Sequence, residues 1–119
     1  MSLAQPVLDP DTDPDLYGLI RGAIELRSQI LAVYHGYYRE MCPHAIGINK
    51  NGQAVALFYQ FAGESESGLG PPGSGDNWRC IILAELSDVR PRTGKWHTAS
   101  DHSRHQTCVF QRVDLSIAA

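Results

Sequence analysis

The chain is short of cysteine, of long apolar runs and of any strong surplus of one charge. Three of its 119 residues are cysteine, Cys42, Cys80 and Cys108. So odd and sparse a set argues against a disulfide scaffold and for a reduced, cytoplasmic chain. No window approaches the roughly 18 uninterrupted apolar residues that a membrane-spanning helix needs. Met1 to Asp15 has neither a basic stretch nor an apolar one, so no signal peptide is read there. Catalytic signatures are missing as well. There is no Gly-x-Ser-x-Gly elbow, no phosphate-cradling loop ending in lysine and no His-Glu-x-x-His, so no enzyme and no cofactor are expected. Against these absences, 43% of the residues are apolar and 19% charged. That suffices for one core in one domain and excludes a disordered polyelectrolyte.

The formal net charge of −3 hides a division. Asp9, Asp11, Asp13 and Asp15 fall in the first fifteen residues without a cation beside them, and Glu64, Glu66 and Asp76 surround a glycine-rich stretch. Without those seven carboxylates the balance moves to +4. The remainder is modestly basic, which suits an anionic ligand without requiring one.

Residues 1–12 read as a flexible acidic tail and residues 13–119 as a single domain. Asp13-Pro14 supplies an N-cap followed by proline in the first turn, and Leu16, Leu19, Ile20, Ala23, Ile24 and Arg27 follow at helical spacing. One helix over 14–28 is expected. Strand signals take over from residue 30 and run to 117. Ile30 to His35, Tyr37 to Met41 and His44 to Lys50 come first, with Pro43 between the last two. Asn51-Gly52 then marks a hairpin with a type I′ turn. Gln53 to Phe61 is apolar on both alternating faces, as a covered central strand would be. Glu64 to Gly75 is rich in Gly, Ser and Pro and reads as a flexible loop. Trp78 to Leu86 is a further two-sided strand, Arg90 to Arg104 is polar and irregular, and Cys108 to Ile117 alternates. The fold class expected is mainly β with one N-terminal helix, a small SH3-like or Sm-like barrel of five or six antiparallel strands.

The order of residues carries a resemblance. A helix leads into Ile30-Leu-Ala-Val-Tyr34-x-Gly36-x-x-Arg39-x-x-x-Pro43, then a hairpin, an apolar strand ending near Tyr59, a variable loop, and Trp78-Arg79-x-Ile81-x-Leu83-x-x-Leu86. Over roughly Leu16 to Val89 this resembles the WYL domain, a small barrel of bacterial transcriptional regulators. The resemblance implies a divergent, stand-alone version, with Ala54-Val55-Ala56 where the Trp-Tyr-Leu triplet would fall. It also lacks the paired helices that would enter a major groove. The resemblance implies a non-enzymatic, ligand-binding regulatory module. Its aromatic and basic surface would accept a nucleotide or a short single-stranded nucleic acid, with no membrane involved and any DNA-binding part supplied by a separate partner.

The candidate ligand-binding residues are Arg39, Arg79, Tyr34, Tyr59, Trp78 and His44. Arginine offers phosphate a planar fork of donors, and an aromatic ring offers a base a stacking surface. The competing reading makes the aromatics core and pairs the arginines with carboxylates. Two other functions stay open. One is a structural barrel that forms homo-oligomers, motivated by the apolar excess of Gln53 to Phe61. The other is a metal-binding enzyme built on residues 97–108, where His97, His102, His105 and Cys108 bear zinc-type donors. Their spacing matches no zinc motif and no Cys-x-x-Cys accompanies them, so no metal is assigned. Cys42-Pro43-His44 also puts a thiol near an imidazole.

Overall fold

A computed structural model describes residues 7–99, 108 and 110–117. Among the described residues the fold is mainly β, with one α-helix and six antiparallel strands. The helix, α1 (Pro14–Leu26), starts where the sequence says it should. Asp13 is extended and its carboxylate accepts the Asp15 amide. The end differs. Arg27, not a glycine, takes the left-handed conformation at φ 55°, and Ser28 N donates to Ala23 O at 2.9 Å. This is a Schellman stop built on a residue that does not advertise it. The buried stripe is Tyr17, Ile20, Ala23 and Ile24, so Tyr17 joins the face and Leu19 and Arg27 leave it.

The strands are β1 (Gln29–Tyr34), β2 (Tyr37–Ile48), β3 (Ala54–Gly63), β4 (Trp78–Ile82), β5 (Leu86–Arg92) and β6 (Arg112–Ser116). They form one sheet in the order β4-β3-β2-β1-β5, with β6 added to β2 beyond the end of β1. β4 and β5 stand at opposite ends of that order, yet only Leu83–Glu85 separate them in sequence. The edges of a flat five-stranded sheet would lie about 19 Å apart at ~4.8 Å per strand. A 3-10 turn advances only about 2 Å per residue. The sheet must therefore curl until its two edges approach, as the barrel expectation requires.

Several local expectations change. Trp78 to Leu86 is not one strand, because Leu83–Glu85 forms a 3-10 turn that carries the chain from one sheet edge to the other. β2 is one strand that runs through Pro43, whose missing N–H is accommodated by a register shift between Pro43 and Ala45. The β2–β3 hairpin is present, but Gly52 alone takes positive φ, so the turn is not type I′. A two-residue turn with both φ positive joins β1 to β2 instead, at His35 (53°) and Gly36 (81°). Part of the acidic tail is anchored: Asp9 Oδ1 accepts from Thr12 Oγ1 at 2.6 Å and from Ala54 N at 3.3 Å.

β3 is covered on both faces. Ala54, Ala56 and Phe58 pack under α1 with Ile30, Met41, Ile46 and Ile81, while Tyr59 lies on the other face with Trp78 and Ala99. Most of its apolar side chains are buried within the fold, with Leu57 and Phe61 partly exposed. Edge strand β5 carries Asp88, Arg90, Pro91 and Arg92, residues that discourage edge-to-edge pairing.

The reduced-chain expectation is corrected. Cys80 and Cys108 form a disulfide, S–S 2.08 Å, and Cys42 alone is a free, buried thiol. Spacing along the sequence cannot show a bridge closed across 28 residues. Bonded Cys108 has no thiolate left to offer a metal. His102 and His105 lie outside the described residues, and among the described residues no group of three His, Cys, Asp or Glu is placed to hold a metal. No helix among the described residues is long and apolar enough to cross a membrane.

Candidate anion site at an arginine pair

Side chains alternate along a strand, so neighbours such as Trp78 and Arg79 point to opposite faces. That parity divides the six sequence candidates. Arg39, Arg79 and Tyr34 lie on the helix-covered face, and Tyr59, Trp78 and His44 lie on the other.

On the second face the aromatics are packed. Tyr59 and Trp78 meet edge to face at 5.0 Å, and His44 sits 4.8 Å from Trp78 and 4.6 Å from Trp96, centroid to centroid. Tyr59 is 2% exposed and Trp78 4%, so neither presents a ring for stacking. His44 Nδ1 lies 2.9 Å from the Cys42 carbonyl, which can only accept, so the neutral ring carries its proton there. Its Nε2 then accepts from Thr98 Oγ1 at 2.9 Å. The thiol and imidazole of Cys42-Pro43-His44 are not coupled. Cys42 Sγ instead accepts from His97 N at 3.3 Å, and burial pushes the thiol up to about 11. A cleft of 410 Å³ lies beside this cluster, walled by Phe61, Trp96, His97 and Lys95 and by glycine and proline of the 70–73 segment. The His97 ring lies flat on Phe61 at 3.9 Å, and burial followed by the nearby Lys95 lowers its affinity for a proton.

On the first face, charge is buried. Arg39 projects from β2 and is 2% exposed. Its Nη1 donates to Gln60 Oε1 at 3.4 Å and its Nη2 to the Tyr34 carbonyl at 3.2 Å. Its guanidinium lies 5.1 Å over the Tyr34 ring and 5.7 Å from that of Tyr37. The Tyr34 ring also stacks on His35 at 4.0 Å and is 8% exposed, so Tyr34 too is covered. Arg79 projects from β4. Its Nη1 donates to the carbonyls of Asp76 (2.6 Å) and Trp78 (3.1 Å), and its Nη2 to Gly68 O (3.0 Å) and Ser65 Oγ (3.2 Å).

Two features mark this pair. The Nε atoms of both arginines are buried and have no hydrogen-bond partner among the described residues. The arginines also repel each other: burial lowers the Arg39 pKa, and burial, then Arg39 itself, lowers that of Arg79. The carboxylate that reaches Arg39 belongs to Glu66, at 3.5 Å. That is longer than the ~2.7–2.9 Å of a good charge-assisted bond. Exposed Asp76 and Glu85 stand at the rim, Glu85 held by His35 Nε2 at 2.7 Å. The arrangement is a pair of cations, neutralised in part, in a setting where an unpaired charge is costly.

The loop read as flexible from its composition is stitched down by this pair and its neighbours. Arg79 binds both of its ends, Asn77 exchanges hydrogen bonds with Gly70, and Tyr59 Oη donates to Ser74 O at 2.9 Å. Gly63, at φ 91°, brings its start against β2, where a Cβ would strike the Tyr38 carbonyl and the Arg39 backbone. Gln60, Ser65, Glu66 and His35 belong to the site but were not among the sequence candidates. Only strand parity from Arg39 through Gln60 could have found the first of them. No family model, no curated protein and no solved structure matches the chain.

Proposed function

We propose that the chain is a non-enzymatic, ligand-binding module that recognises an anion, with Arg39 and Arg79 as the residues that hold it. The observation that carries this reading is a pair of arginines, Arg39 buried and Arg79 half-buried, that meet the same Ser65 to Gly68 turn and whose buried Nε donors have no acceptor among the described residues. An incoming phosphoryl oxygen supplies that acceptor and screens one cation from the other. Where the ligand is a nucleotide, half-buried Tyr37 beside Arg39 is the ring with a face to offer, in place of Tyr34, Tyr59 and Trp78.

The likeness of residues 16–89 to the WYL domain favours the same reading and adds a context. It suggests a regulator whose DNA-contacting part is a separate partner, working in the cytoplasm. There the Cys80–Cys108 bond would depend on the redox poise of the cell. The test is a titration with mono-, di- and trinucleotides and short single strands over a salt series. Affinity should rise as salt falls, and Arg39→Ala with Arg79→Ala should abolish it. No binding at low salt, or binding indifferent to both substitutions, would remove the proposal.

A further inference from the structure

The turn Ser65 to Gly68 closes on itself through Gly68 N to Ser65 O at 3.2 Å. Side chains hold it against the sheet. Arg79 grips Ser65 Oγ and Gly68 O, while Glu66 Oε1 lies 3.5 Å from Arg39 Nη2 and 3.6 Å from His35 Nδ1. Glu66 is 65% exposed although the arginine it meets is buried. A carboxylate so placed sits at the doorway of the site rather than within it. Neither of its contacts has the length of a strong charge-assisted bond, so little holds it there.

We propose that Glu66 is a built-in, displaceable occupant of the arginine site, and that a phosphoryl group binds by taking its place and lifting the Ser65 to Gly68 turn. This rests on the reading that the arginine pair binds an anion, and adds how the empty site is kept closed. The exchange is balanced in charge at Arg39, since one anion leaves as another arrives. It satisfies more donors, because a phosphoryl group has acceptor oxygens enough for Arg39 Nη2 and for the two Nε atoms that Glu66 leaves unpaired. Exposed Asp76 and Glu85 oppose the arriving charge, so affinity is set by competition and weakens with salt.

The experiment follows the arginine Nε–H resonances of the full chain during titration with inorganic pyrophosphate at low ionic strength, in wild type and in Glu66→Gln. Glu66 is exposed, so its substitution leaves the fold intact. The expected result is binding to both, about threefold to tenfold tighter in Glu66→Gln. In wild type, the amides of the Ser65 to Gly68 turn should also exchange faster with solvent as the site fills. Equal affinities with an unmoved turn, or weaker binding by Glu66→Gln, would overturn the displacement while leaving the anion site standing. Arginine resonances unmoved in either protein would remove the anion site and the displacement with it.

Discussion

The two faces of one curled sheet hold the same kinds of residue and use them in opposite ways. On the face bearing Tyr59, Trp78 and His44, each ring meets another ring and the described polar atoms of His44 and Tyr59 are matched. His44 is bonded at both nitrogens and Tyr59 donates to a carbonyl. On the face bearing Arg39 and Arg79, a buried and a half-buried cation keep two Nε donors unmatched among the described residues, and Arg39 has one loose carboxylate, that of Glu66. We assign stability to the first arrangement and propose binding for the second. A ring or a guanidinium is informative about function only once its remaining unmet interactions are counted.

The largest effect that would separate the faces is on stability. Trp78→Ala should cost about 3–5 kcal/mol, the usual range for a buried tryptophan, measured by urea unfolding. A loss below ~1 kcal/mol would mean that the aromatic face is not the structural one. Reducing the Cys80–Cys108 bond should come next. It closes a loop of 28 residues, and the chain-entropy relation gives about 3–4 kcal/mol. An unchanged urea midpoint after reduction would contradict the pairing.

Arg79→Gln should change affinity more than stability, with pyrophosphate binding at least about tenfold weaker, while Arg79→Lys keeps part of it. If instead the stability loss of Arg79→Gln rivals that of Trp78→Ala, Arg79 is a staple for its loop and the contrast between the faces fails. The smallest effect concerns protons. The folded state depresses the pKa of His97, so the unfolded chain binds its proton first as pH falls through about 6.5. That residue's contribution is therefore complete above this range and is lost progressively below it. His97→Gln should flatten that portion of the stability–pH curve, and an identical curve would show that the strap on Phe61 is not what the proton disturbs.

Much of the fold was legible because apolar pattern and cap chemistry are local. Asp13-Pro14 opens α1, and the two-sided run around Phe58 is the interior strand β3. The helix end was not, because Arg27 takes a conformation that sequence assigns to glycine. The strand break at Leu83 was not either, since apolar residues continue through the 3-10 turn. The disulfide depends on a long-range closure that no spacing encodes. For the site, Arg39 and Arg79 were legible as cations near aromatics. Their division from Trp78 and Tyr59 was already implied by parity, as residues 78 and 79 of one strand cannot share a face. Glu66 could not be found, because its role depends on where a loop of glycine, serine and proline is tied.

The account turns on the arginine pair being short of negative charge. Calorimetric titration of the full chain with pyrophosphate across a salt series, in parallel with Arg79→Gln, tests that most directly. The account predicts saturable binding whose affinity falls as salt rises and drops at least about tenfold in Arg79→Gln, with the fold retained. Binding that ignores salt, or that survives Arg79→Gln unchanged, would contradict it.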